Sequence, residues 1–147
     1  LKTRILGAAL GIAVLSGLLV ASPAQARDGV SSARIDTARY GGGSVRATVD
    51  FVNRRKVVFR NFTVRDLCPG DNLPVRARAW WRHTDGTNGY GAWKSDTNGC
   101  GDDGTNFGNI TRRSTKPIAM VWVEVSVYIR PGERTTKISK TRDNQYN

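Results

Sequence analysis

The thirteen residues Ile118 to Arg130, IAMVWVEVSVYIR, constrain this chain more than any other stretch. Ala119, Val121, Val123, Val125, Val127 and Ile129 occupy every second position. Ile118, Met120, Trp122, Glu124, Ser126, Tyr128 and Arg130 take the alternate positions. A period of two puts the first set on one face of a strand, whereas a helix, at about 3.6 residues per turn, would scatter it. The valines also suit a pleated surface. The spacing predicts a long strand with one face in the core, and a second sheet to cover that face.

Other segments supply that sheet. Ser44 to Val52 alternates Val45, Ala47, Val49 and Phe51 with Arg46, Thr48 and Asp50. Val57 to Leu67 resumes after the charged turn Asn53-Arg54-Arg55-Lys56, and the two segments read as a hairpin. In the second of them the phase slips. Val57 and Phe59 share one parity and Phe62 and Val64 the other, so a bulge is expected near Arg60-Asn61. From Leu73 to Arg82, Val75, Ala77, Ala79 and Trp81 point inward, and Arg76, Arg78, Trp80 and Arg82 outward. Asp-Gly and Asn-Gly in the run 83–90 favour hairpin turns, with a return strand around Trp93. Asn109 to Arg113 and Arg134 to Lys140 read as short strands, the latter an edge. With no helical pattern, the expected fold is all-β: an antiparallel β-sandwich of about seven to eight strands.

The first 26 residues read as an export signal. Lys2 and Arg4 precede an uncharged run, Ile5 to Ala21, and Ala24-Gln25-Ala26 offers a small-x-small cleavage site. Seventeen apolar residues fall short of the roughly twenty that span a bilayer. The expected organisation is a signal peptide over 1–26, a flexible segment over 27–43, a β-sandwich domain over 44–141 and a polar tail over 142–147. Secretion to the extracellular space follows, with no stable membrane association after cleavage. The remaining chain holds twenty-one basic and twelve acidic residues, a net +9. Such an excess favours anionic partners. Arg outnumbers Lys seventeen to six, which suits phosphate or carboxylate recognition but also follows from a GC-rich genome.

Cys68 and Cys100 both follow the cleavage site, and in an oxidising compartment an even pair reads as a disulfide. Two cysteines and one histidine make no zinc set, and neither a metal nor a cofactor is expected.

Three features could carry function. The outward stripe Arg76, Arg78, Trp80 and Arg82 can stack a sugar or base while its guanidiniums bind anions, and Trp122 and Tyr128 would extend it if the strands are neighbours. Against this stands ordinary packing. The run Asp96 to Gly104 resembles part of a calcium loop. It fails the EF-hand pattern, with Cys100 at position five and Phe107 at position twelve. His83, with Glu124 or Glu133, could supply the parts of a small ribonuclease, but no ribonuclease motif accompanies it. No Ser-His-Asp spacing, Gly-rich phosphate loop or HExxH motif is present.

The runs Asp66-Leu67-Cys68-Pro69-Gly70-Asp71 and Asp96-Thr97-Asn98-Gly99-Cys100, with the late Arg142-Asp143-Asn144, resemble small secreted actinomycete β-rich proteins with two cysteines. As a group these have no assigned activity. The resemblance implies location and fold and carries over no functional residue. Together the readings point to a monomeric, non-enzymatic binding module for an anionic polymer or glycan, contacted through Arg76, Arg78, Trp80, Arg82, Trp122 and Tyr128. A proteinaceous inhibitor of an extracellular enzyme, projecting loop 83–90 or 96–108, is one alternative. A small secreted nuclease is the other.

Overall fold

A computed structural model describes residues 28–69, 73–101 and 103–147. The export signal expected at 1–26 lies outside them. The described chain is all-β and forms two antiparallel sheets. The first contains β1 (Gly29–Thr37), β2 (Gly41–Asn53) and β3 (Lys56–Leu67). The free side of β3 is extended by β7 (Thr105–Asn106) near Val64 and by β8 (Ile110–Arg113) near Val57. The second is centred on β9 (Ile118–Arg130) and β4 (Arg76–His83). β10 (Glu133–Ile138) and β11 (Arg142–Asp143) also pair with β9, while β5 (Asn88–Tyr90) and β6 (Lys94–Ser95) pair with β4.

The core is the space between the sheets. Val121, Val123, Val125 and Val127 of β9 face Val45, Val49 and Phe51 of β2 and Val57, Phe59, Phe62 and Val64 of β3, all at most 2% exposed. Burying one such side chain stabilises by about 1.5–3 kcal/mol relative to leaving it in water. The expected interruption of β3 is a bulge. Ala47 of β2 lies opposite an extra residue, and Asn61 takes a left-handed φ of 50°. Asn tolerates that conformation better than most side chains. The bulge lets Phe59 and Phe62 both point inward. Cys68 and Cys100 form the expected disulfide, Cα atoms 4.9 Å apart.

Four expectations need correction. Eleven strands lie among the described residues rather than seven or eight, because pairs such as Lys94–Ser95 are too short to show periodicity. The stretch 27–43, expected to be flexible, holds β1 and the start of β2. The inner face of β1 is Ser31, Ala33 and Ile35, with a single large apolar side chain, too little alternation to mark a strand. Ser31 is buried through a 2.7 Å hydrogen bond to Ser139. Gly43 is pressed against the opposite sheet, and a Cβ there would lie 2.4 Å from Val75. The polar tail carries β11 and a buried Asn144, whose amide donates to the carbonyl of Ile118 at 2.9 Å. Finally, the alternation of β9 fails at its ends. Ala119 is skipped in the pairing with β4, so Ile118 turns into the core, while Ile129 is 37% exposed beyond the reach of the facing sheet.

Candidate functional site

The parity of β4 places Arg76, Arg78, Trp80 and Arg82 on the outer face of the second sheet. Register with β9 then sets Trp80 opposite Trp122 and Arg78 opposite Glu124, and register with β5 sets Tyr90 on the other side of Trp80. The result is a ladder of rings and guanidiniums. Trp80 stacks on Trp122, centroids 5.8 Å apart and planes within 8°, and meets Tyr90 at 4.9 Å. The Arg78 guanidinium lies 4.2–4.5 Å from the rings of Trp80, Tyr90 and Trp93. Arg76 covers the other part of Trp93 at 4.4 Å, and Arg82 ends the row over Trp122 at 5.9 Å. Such interactions are each worth about 0.5–2 kcal/mol, more as they are desolvated.

Glu124 anchors the row. One carboxylate oxygen accepts from Arg78 Nε at 2.7 Å and from the Trp80 indole N–H. The carboxylate and the guanidinium are 10% and 17% exposed, so neither could be left unpaired cheaply. These bonds fix Trp80 edge-on and hold Arg78 flat between rings. What remains open to solvent is Tyr90, at 60% exposure, together with Arg82 and the half-covered Arg76, Trp80 and Trp93.

Of the six residues expected to contact a ligand, Arg76, Arg78, Trp80 and Arg82 are brought together as anticipated. Trp122 joins them but is 8% exposed beneath Trp80 and Arg82, so it supports the platform rather than offering a stacking face. Tyr128 lies further along β9 under Arg134, whose guanidinium is 3.7 Å from its ring. Sequence reasoning missed Tyr90 and Trp93, which join through the pairing of β5 and β6 with β4.

The other two candidates resolve differently. The Asp96 carboxylate is committed to hydrogen bonds that tie its loop to β3 and β7. It accepts from the backbone N–H of Asp66 at 2.7 Å, from that of Asn98 at 3.1 Å and from the Thr105 hydroxyl at 2.6 Å. Among the described residues no three His, Cys, Asp or Glu side chains converge as a metal site would need. His83 bridges two loops, with Nδ1 3.0 Å from Thr87 Oγ1 and Nε2 2.9 Å from Ser114 Oγ. It pairs with Ile118, whereas Glu124 is six residues further along β9, about 20 Å away at strand spacing. The ribonuclease pair is therefore not assembled.

Charge is distributed unevenly. Asp36, Asp50, Asp85, Glu124 and Glu133 each hold a cation, respectively Arg34, Arg60, Lys116, Arg78 and Arg130. The ion pair with Lys116 and hydrogen bonds from Thr87 hold the Asp85 carboxyl well below the usual carboxylate range. Arg34 does the same, in direction, for Asp36. Asp28 is engaged by the Phe51 N–H. These acids are thus engaged within the molecule, and exposed arginines such as Arg54, Arg55, Arg82 and Arg113 are left facing solvent.

Neither a family model, nor a curated protein, nor a solved structure is similar to this chain. The functional reading rests on the site.

Proposed function

We propose that this protein is an exported, non-enzymatic binding module for an acidic polymer, and that it docks the polymer on the outer face of the second sheet. The observation that supports the reading is the row of guanidiniums and rings on the outer sheet face, where Tyr90 and Arg82 stand exposed. Its side chains are held in place by one another and by Glu124, so little ordering entropy is lost when a ligand arrives. Rings accept the apolar face of a sugar, and flanking guanidiniums answer carboxylate or sulfate groups. A nuclease is not favoured, because His83 and Glu124 stand apart.

Retention on an immobilised acidic polysaccharide tests it. Arg78 is a poor target, since its loss would strand Glu124. Arg82→Gln combined with Tyr90→Ala removes exposed ligand-facing groups and leaves that pair intact. The wild type should elute at clearly higher salt than the double variant, and the polymer should alter tryptophan fluorescence. Elution of both at the same salt would exclude this face as the docking surface.

A further inference from the structure

Two basic runs far apart in the sequence meet at one end of the sandwich. Arg54, Arg55 and Lys56 form the turn between β2 and β3, and Arg112 and Arg113 close β8. The pairing of β3 with β8 sets Lys56 directly opposite Arg113. Like charges across a sheet are unfavourable, and sequences ordinarily place an acid there. Here neither Lys56 nor Arg113, nor Arg54 nor Arg55, has a carboxylate within ion-pair distance among the described residues. On the neighbouring strand and loop, Asp50 is held by Arg60 and Asp85 by Lys116.

The backbone beneath these cations is fixed. The carbonyl of Arg54 accepts from Ile118 N–H at 2.7 Å and that of Arg55 from Ser114 N–H at 2.9 Å. The Asn53 side chain accepts from Arg55 N–H at 2.9 Å, and the tail's Asn144 donates to the Asn53 carbonyl. Arg112 faces the other way and lies 4.2 Å over the core ring of Trp81, which leaves the outward cluster to the other four. Beside it is a recess of about 370 Å³ lined by Asn53, Arg54, Arg55 and Pro117.

We propose that this end of the molecule binds a chain of phosphate groups through Arg54, Arg55, Lys56 and Arg113. The site is distinct from the ladder and does not rest on it. Four cations within one turn and one strand end need an anion of high charge density, which single carboxylates spaced along a sugar chain do not supply. Three of the four are arginines, whose planar forks match phosphate oxygens in bidentate fashion. No aromatic side chain is among the described residues lining the recess, so a nucleic-acid base would find no ring there to stack on, as sequence-tolerant nucleic-acid grooves require. A phosphate chain without bases fits better.

Calorimetric titration of the protein with inorganic tripolyphosphate at low ionic strength tests the site. Saturable binding is expected. Arg54→Gln with Arg55→Gln, and separately Arg113→Gln, should each weaken it by about tenfold, the scale of removing one or two charge-assisted hydrogen bonds. The log–log salt dependence should be shallower in the variants, because each neutralises fewer phosphates. Arg39→Gln, a control in the β1–β2 turn at the opposite end, removes the same single charge as Arg113→Gln and should change affinity less than about twofold, because distant exposed charges are screened. All four side chains are exposed or half-exposed, so the variants should keep the wild-type melting temperature without ligand. Absence of binding, or an equal loss in Arg39→Gln, overturns the proposal. So does displacement of tripolyphosphate by single-stranded DNA or a sulfated polysaccharide at lower concentrations of charge than linear polyphosphate needs. Loss of polysaccharide retention in the ladder variant with tripolyphosphate binding intact would separate the two surfaces.

Discussion

Replacing Glu124 by Leu tests whether the outer ladder is held by its one carboxylate. The change leaves Arg78 Nε and the Trp80 indole N–H without their shared acceptor, in a place where Arg78 is 17% exposed. Removing one partner of a fully buried ion pair costs about 3–5 kcal/mol. The slight exposure and the rings that sandwich Arg78 bring the expected figure to the lower end, about 2–3 kcal/mol. For a chain of this length that lowers the melting temperature by about 8–12 °C. Replacing Arg78 by Leu as well removes the stranded charge, so the double variant should be more stable than the sum of the single losses implies, by about 1–2 kcal/mol. Urea unfolding followed by tryptophan fluorescence reads all four corners of the cycle. A loss below about 0.5 kcal/mol for Glu124→Leu, with additive behaviour in the double variant, would show that the carboxylate is incidental to the ladder.

Two further outcomes follow from geometry described above. Gly43→Ala places a methyl group 2.4 Å from Val75 Cγ1 and 2.8 Å from Val127 Cγ1, so it should destabilise by about 1–3 kcal/mol in denaturant titration, whereas a flexible lead-in would tolerate it. Asp85, whose folded carboxyl ionises below its ordinary value of 3.8, contributes stability that is complete above that value and lost as pH falls through the lower folded one. The melting temperatures of wild type and Asp85→Asn should therefore differ near neutrality and converge progressively below about pH 4.

How far the sequence is legible depends on whether a residue's role is set by its neighbours along the chain or by its partners across a sheet. The valines of β9 and the inward set of β4 announce themselves, because alternation is local and large apolar groups mark it. Even the interruption at Asn61 is visible, as a change of parity between Phe59 and Phe62. β1 is not, since Ile35 is the one large apolar side chain on its inner face beside Ser31 and Ala33, and the burial of Ser31 depends on a hydroxyl 108 positions away. The ladder divides the same way. Outward Arg76, Arg78, Trp80 and Arg82 follow from parity. The enclosure of Trp122 and the recruitment of Tyr90 follow from register, which no short stretch encodes. The basic runs 54–56 and 112–113 are each plain in the sequence, but the opposition of Lys56 and Arg113 exists only once β3 and β8 are paired.

The extra residue at Asn61 has a consequence for how this chain can change over time. Upstream of it, odd-numbered side chains of β3 look inward; downstream, even-numbered ones do. Losing that one residue would restore an uninterrupted zigzag, with Val57, Phe59, Phe62 and Val64 at every second position and all facing the core. Flattening the bulge with the residue kept would instead turn either Val57 and Phe59, or Phe62 and Val64, toward solvent. A one-residue deletion at this outward-facing kink is thus open to the lineage, whereas one elsewhere in β3 is not.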